Sequence, residues 1–165
     1  MEIKIRPYQT QDAEIIVAIL NHYIATSTAL YDYNPRTIEQ QQAIFEEKLI
    51  KEFPVIVATM DECVVGFGYY SEFRFREAYK FTVEHSVYVT PNEHGKGIGK
   101  VILQSLIDLA KKQKLHTMIG VIDAENESSI AFHEQYGFKT VGIIKDSGFK
   151  FDRWLHSVIM QLMLE

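Results

Sequence analysis

Apolar and polar positions change period several times along the chain, and each change marks an element. Ile3 and Ile5 alternate with polar neighbours as a first strand, which Pro7 ends. Thr10 then offers an N-cap, with Asp12 and Glu14 in the first turn and Ile15, Ile16, Ile19, Leu20 and Tyr23 on a helical period. Thr37-Ile38-Glu39-Gln40 is a capping-box signature that predicts a second helix to about Lys51, and the connection before it carries Tyr31 and Tyr33. Residues 55–59 and 64–70 read as a hairpin across Met60-Asp61-Glu62-Cys63, and 81–89 as a further long strand. From Ile98 onward Val101, Ile102, Ser105, Leu106, Leu109 and Ala110 form a helical stripe, with Lys111, Lys112 and Lys114 in or just past the last turn, where cations suit the helix dipole. Residues 117–122 predict a short strand, Asn126 an N-cap and Gly137 the end of its helix. The last strands are 141–144 and 154–164. In the latter Trp154, His156, Val158, Met160, Leu162 and Leu164 are expected on one face, with Ser157 and Gln161 on the other. The pattern is that of a mixed α/β domain without repeats, read as a three-layer α/β/α fold around a largely antiparallel sheet.

Composition narrows the class. A chain of 165 residues with 47% hydrophobic and 24% charged content suits a single domain, 1–165, with a sizeable core. The longest apolar runs fall far short of a membrane span, and Met1-Glu2-Ile3-Lys4-Ile5-Arg6 lacks the apolar stretch of a signal peptide, so a cytoplasmic protein with no membrane partner is expected. A net charge of −5 argues against a nucleic-acid surface. The single cysteine, Cys63, cannot close an internal disulfide and reads as a small buried hydrophobe. The six histidines show no ligand spacing that calls for a metal.

The candidate chemistry begins where strand 81–89 runs into Thr90-Pro91-Asn92-Glu93-His94-Gly95-Lys96-Gly97-Ile98-Gly99-Lys100. Glycines at 95, 97 and 99 permit positive φ and close backbone approach. The helix start beyond them presents unpaired N–H groups and the positive end of its dipole, while Lys96 and Lys100 add charge, which makes a phosphate cradle. The register excludes two common glycine loops: Lys100 stands where the dinucleotide loop needs its third glycine, and His94 and Val101 break the nucleotide-triphosphate pattern. Within the strand, Glu84 shares a face with Ser86 and Tyr88, an odd place for a carboxylate unless that face lines a polar cleft. Glu84 is therefore a candidate base, the alternative being a buried carboxylate paired with Arg or Lys. His85, on the face of Val83 and Val87, reads as a hydrogen-bonded core histidine and as the fallback base. Phe73-Arg74-Phe75-Arg76 is an aromatic-basic loop whose guanidinium forks suit an oxyanion, against a plain solvated charge pair.

His94-Gly95-Lys96-Gly97-Ile98-Gly99 resembles the pyrophosphate loop of the GNAT superfamily of N-acetyltransferases, with His94 standing where that pattern has Gln or Arg. Taken with Thr82-Val83-Glu84-His85-Ser86-Val87-Tyr88-Val89, Asn126-Glu127-Ser128-Ser129 and Gly148-Phe149-Lys150-Phe151-Asp152-Arg153-Trp154, nearly the whole chain resembles the phosphinothricin and methionine sulfoximine acetyltransferase branch. The resemblance implies an acetyl-CoA-dependent enzyme that acetylates the amino group of a small amino acid or analogue and works as a homodimer. It places the coenzyme's pyrophosphate on Gly95, Lys96, Gly97, Ile98, Gly99 and Lys100. The pantetheine arm would lie in a gap between strands 83–89 and 117–122, against backbone at Val87, Tyr88 and Val89 and beside Asn126. It puts His133 where many members carry a Tyr that protonates the leaving thiolate, and leaves Tyr136 to pack. Arg74, Phe75 and Arg76 fall at the acceptor-binding position, next to Glu84, His85 and Ser86. Tyr31 would wall the acceptor pocket, and Lys150, Arg153 and Trp154 would stand in that pocket or at a dimer contact. A base is needed because, at a reference pKa near ~7.8, only roughly a tenth of α-amino groups are neutral at pH 7. Acetylation of a peptide or polyamine, and a non-catalytic acyl-CoA-binding module, are the alternatives.

Overall fold

The computed structural model describes residues 2–165. Seven strands, β1 (Lys4–Pro7), β2 (Val55–Met60), β3 (Cys63–Glu72), β4 (Thr82–Val89), β5 (Thr117–Asp123), β6 (Lys139–Lys150) and β7 (Arg153–Met163), form one sheet in the order β1-β2-β3-β4-β5-β7-β6. Every neighbouring pair is antiparallel except β4–β5. Helices α1 (Ala13–Thr26) and α2 (Ile38–Ile50) pack on one face, where Ile16, Leu20 and Phe45 meet Val55, Val57 and Phe67. Helices α3 (Ile98–Lys112) and α4 (Glu127–Glu134) cover the other, where Ile102, Leu103 and Leu106 meet Ile56, Ala58, Met118 and Met160. The three-layer arrangement is the expected one. No helix among the described residues is long and apolar enough to cross a membrane.

Local chemistry explains most boundaries. Thr37 and Gln40 close the expected capping box reciprocally, Thr37 Oγ1 accepting from the Gln40 N–H at 3.1 Å and Gln40 Oε1 from the Thr37 N–H at 3.0 Å. The β2–β3 hairpin turns through Asp61 and Glu62, both left-handed, which matches the twist of the flanking strands. Asn126 caps α4 and Gly137, at φ 88°, follows its end, both as expected.

Four expectations are corrected. Thr10 caps nothing: the chain enters a short 3-10 turn capped at Gln9, because Asp12 accepts both from the Gln9 N–H at 2.8 Å and from both terminal nitrogens of Arg6 at 2.8 Å. Cys63 is exposed, since it directly follows the turn and Val64 is the first residue of β3 to enter the core. The buried stripe of α3 is centred on Leu103 and Ile107 as well as Ile102 and Leu106, so Val101, Ser105 and Leu109 flank it. In β7, Trp154 and His156 are exposed while Leu155 and Ser157 are buried; from Val158 on the even positions turn inward. The reversal sits opposite an irregularity in β6 between Ile144 and Gly148, and β6 itself reaches Lys150, well past the predicted end.

The contact of α3 with the sheet fixes the position of the helix that the glycine loop opens. At Gly68 of β3 an added Cβ would stand 2.5 Å from Ile102 Cγ2 and 3.0 Å from Leu106 Cδ1, with Ser86 O at 3.1 Å on the other side. Gly68→Ala should therefore cost about 1–3 kcal/mol by overpacking, read as a lowered denaturation midpoint. Gly142→Ala, where the Cβ would meet nothing within 4 Å, is the control expected to change little.

Candidate functional site

The parallel pairing of β4 with β5 lasts only three residue pairs, Thr82 with Thr117, Val83 with Met118 and Glu84 with Ile119. Beyond these, β4 keeps its partner β3 while β5 stays with β7, so the sheet opens into a wedge. The wedge is the floor of a cleft of about 870 Å³. The loop before α3 borders it at one end with His94, Gly95 and Gly97, and α4 borders it with Asn126, Ser129, Phe132 and His133. The α1–α2 connection closes the remaining side with Thr28, Leu30 and Tyr31.

Of the residues expected at the site, Glu84, His85, Ser86, Val87, Tyr88, Val89, Gly95, Gly97, Ile98, Gly99, Lys100, Asn126, His133 and Tyr31 all line this cleft. Gly95 and Gly97 sit at φ 81° and 82°, where a side chain is disfavoured, and Gly97 is the N-cap of α3. Gly99 is an ordinary helical residue, contrary to the expectation that it too needs positive φ. Lys96 is not on the cleft wall; its ammonium donates to Glu93 at 2.6 Å. The free N–H groups of the first turn of α3, at the mouth of the wedge, make a seat for a phosphate, and the wedge itself suits a long narrow chain running from it.

Two further groups of expected residues lie elsewhere. Arg74, Phe75 and Arg76 line a separate recess of about 370 Å³ with Glu72 and Tyr79, and Phe75 is 86% exposed. Their loop springs from the strand ends one residue pair beyond Ser71 and Glu84, so it adjoins the cleft without lining it. Lys150 is buried and donates from Nζ to Ser27 O at 2.7 Å and Leu30 O at 2.6 Å; burial pushes its pKa down, against the pull of Asp32. It is a strut between the β6–β7 hairpin and the α1–α2 connection, not a pocket residue. Arg153 pairs with Glu125, and Trp154 packs on Phe149 with ring centroids 5.0 Å apart.

Glu84 has no ion-pair partner. Burial raises its pKa, and the positive charge of Lys48 on α2 opposes that only in part. It shares its face of β4 with Ser86 and Tyr88, across from Tyr69 of β3, whose hydroxyl burial also holds above its ordinary pKa. A half-buried carboxylate, free of a permanent cation and open to the cleft, suits accepting a proton near neutrality.

On the opposite face of β4 the His85 ring meets His133 of α4, Nε2 to Nε2 at 2.9 Å. His85 Nδ1 lies 3.0 Å from Ile119 O, and His133 Nδ1 lies 2.7 Å from Ser129 O. Gly120 makes room for the pair, since a Cβ there would stand 3.0 Å from the His85 ring. His85 is thus the hydrogen-bonded core histidine expected, but its partner is a second site candidate, and neither ring has a nitrogen left free for the cleft.

Several cleft contacts escaped the sequence. Tyr23, counted there only as an apolar position of α1, donates its hydroxyl to Val89 O at 2.6 Å. That commits its proton, so the His94 Nε2–H, 2.7 Å away, donates to the Tyr23 oxygen. His94 therefore ties the glycine loop to α1. Thr28 donates to Asp123, Tyr33 to Phe149 O, and the Tyr31 ring fills the space over Gly148, fixing the α1–α2 connection across the wedge.

Fold and site together define a protein built to hold an extended, phosphate-bearing ligand against a central carboxylate. The chain belongs to the acetyltransferase (GNAT) domain family, whose profile matches residues 5–159. It is 37% identical to an L-methionine sulfoximine/L-methionine sulfone acetyltransferase of Pseudomonas paraeruginosa, the match covering 100% of this chain and 96% of that protein. It is 34% identical to a phosphinothricin N-acetyltransferase of Alcaligenes faecalis over 95% of this chain and 80% of that one. Among solved structures, an N-acetyltransferase from Staphylococcus aureus superposes with a TM-score of 0.98 at 39% identity, covering 100% of both chains. A phosphinothricin acetyltransferase from Sinorhizobium meliloti, solved in complex with AcCoA, gives 0.96 at 34% identity over 99% of this chain and 89% of its own.

The strut at Lys150 yields a direct expectation. Lys150→Met leaves Ser27 O and Leu30 O without their donor, which should cost about 1–3 kcal/mol. Amide exchange at residues 27–31 should speed up while that of α3 stays slow. Unchanged exchange in the connection would show that the strut does not hold this wall.

Proposed function

We propose that this protein is an acetyl-CoA-dependent N-acetyltransferase acting on the amino group of a small amino acid or amino-acid analogue of the methionine sulfoximine or phosphinothricin type. The observation that carries the reading is the parting of β4 from β5 between a glycine-led helix start and an unpaired, half-buried carboxylate. Family membership and the activities named for the curated relatives support it. The first turn of α3, entered through Gly95 and Gly97, would seat the coenzyme's pyrophosphate, with Lys100 beside it. Val87, Tyr88 and Val89 would offer backbone groups to the pantetheine arm, and an N–H from this stretch would polarise the thioester carbonyl, an effect worth about 2.7–4 kcal/mol in acyl transfer. Glu84 would take the acceptor's proton, directly or through water, with Ser86 and Tyr31 at the acceptor side. The acetyltransferase unit is read as one domain, because strands from both ends of the chain share a sheet.

A homodimer belongs to the same reading. The edge strand β6 and its turn into β7 expose Val141, Ile143, Ile144, Phe149, Phe151 and Trp154, each between 42% and 62%. An unpaired edge of this apolarity is suited to a second copy. Ile143→Lys should shift sedimentation from dimer to monomer; a wild-type monomer would remove this part of the proposal.

The activity itself is tested by thiol release from acetyl-CoA across an acceptor panel. Methionine sulfoximine, methionine sulfone and phosphinothricin should be acetylated, and polyamines and peptide amines should not; the opposite preference would favour the other acceptor class. Coenzyme binding with no thiol release from any amine would favour a binding module.

Glu84→Gln should lower kcat about 10²–10⁴-fold near neutrality. In the wild type, activity should fall as pH drops through the carboxyl's pKa, which burial places above the ordinary carboxylate range. The variant should lack that acid limb and recover part of its rate as rising pH deprotonates the amine unaided. A wild-type rate and profile in Glu84→Gln would exclude it as the base.

A further inference from the structure

The His85–His133 pair presents a proton-counting problem. Carbonyl oxygens only accept, so Ile119 O at 3.0 Å calls for a proton on His85 Nδ1 and Ser129 O at 2.7 Å calls for one on His133 Nδ1. If both rings were neutral, each would then have a bare Nε2, and two lone pairs would face each other at 2.9 Å. Moving one proton to the Nε2 line only transfers the mismatch, leaving a bare Nδ1 against a carbonyl. Every neutral arrangement has one repulsive contact; three protons on the four nitrogens have none.

We propose that His85 and His133 hold a single proton between their Nε2 atoms in addition to one on each Nδ1, so that the cleft wall at Gly120 carries one positive charge that stabilises the thiolate sulfur as it leaves. The pair cannot go further. Burial, and after it the charge of His133, holds the His85 pKa down to about 3, so a second positive charge is not taken up near neutrality. Burial also pushes His133 down, while Ser129 O opposes it. No carboxylate bonds to either ring. Phe132, Phe138 and Gly120 surround them, Glu84 lies on the other face of β4, and Asp123 accepts from Thr28 and from the Glu125 N–H at 3.2 Å. The charge is therefore uncompensated and faces the wedge, where both residues line the cleft.

The role rests on the acetyltransferase reading. The acceptor nitrogen forms a bond to the acetyl carbon, the C–S bond breaks, and its electron pair leaves on sulfur. The nitrogen's proton goes to the Glu84 carboxylate. The pair gives up no proton, since no ring N–H is free to face the cleft, and the thiolate is later protonated by water. This differs from the proton donor expected at His133: the histidines act by fixed charge.

Two measurements decide the matter. Long-range 1H–15N NMR of histidine-labelled protein, assigned with His85→Gln and His133→Gln, counts the ring protons without need of activity. At pH 7 the expected count is three for this pair, with the two Nε2 signals averaged by one shared proton; two protons and two neutral rings would overturn the proposal. In kinetics, His133→Gln should lower kcat on the order of a hundredfold with little change in the acetyl-CoA KM. The wild-type fall in kcat as rising pH removes the shared proton should be absent from the variant. His85→Gln should behave alike and serves if the first variant does not fold. Three protons with an unchanged kcat and pH profile in both variants would overturn the role in thiolate departure. Inactivity of the wild type toward every acceptor, with three protons still counted, would defeat the acetyltransferase reading and the thiolate role with it but leave the charged pair standing.

Discussion

The early end of the β4–β5 ladder is the constraint on which the rest of the site depends. Two parallel strands that stay paired leave no room between them; here the pairing stops at Glu84 and Ile119, and the edges beyond face each other across a gap. Backbone groups along such a gap need partners. One is supplied internally, by the Tyr23 hydroxyl on Val89 O. The remainder form a row of donors and acceptors that suits an extended ligand with amides of its own. The wedge is held open from both sides, by α3 packed closely against Gly68 and by α4 anchored through His133 to His85.

A consequence is that one strand separates two titrating centres. Even positions of β4 face α1 and α2 and odd positions face α3 and α4, so Glu84 and His85, adjacent in sequence, work on opposite sides of the wedge. Burial acts on both in the direction of neutrality, raising the carboxyl and lowering the imidazole. Glu84 has no cation bonded to it and is free to accept a proton. His85 is given a second imidazole and two carbonyl oxygens, which favour keeping one.

Much of this was legible in the sequence because it is local. The alternation of 82–89 placed Glu84 on the cleft face, the glycines at 95 and 97 announced a backbone that only they adopt, and Thr37 and Asn126 marked helix starts by capping chemistry. What was not legible depends on distant contacts. The pairing of His85 with His133 spans 48 positions, and that of Lys150 with Ser27 spans 123; no periodicity reports either. Trp154 and Cys63 were misplaced for a related reason. A strand's period is reliable only while its register holds, and β7 changes its inward face opposite the irregularity in β6, while Cys63 stands at a strand end before burial begins. The aromatic-basic loop at Arg74 and Arg76 had the right chemistry for an oxyanion, but the fold sets it in a recess of its own.

The central claim, that the wedge between β4 and β5 is where the coenzyme lies, is tested most directly by hydrogen–deuterium exchange with and without acetyl-CoA. The account predicts slowed exchange confined to residues 86–89, the first turn of α3 from 95 to 100, and the facing edge of β5 near 120–123, with the Arg74–Tyr79 loop unchanged. Protection centred on that loop or on the β6–β7 hairpin, with the wedge exchanging as before, would contradict it.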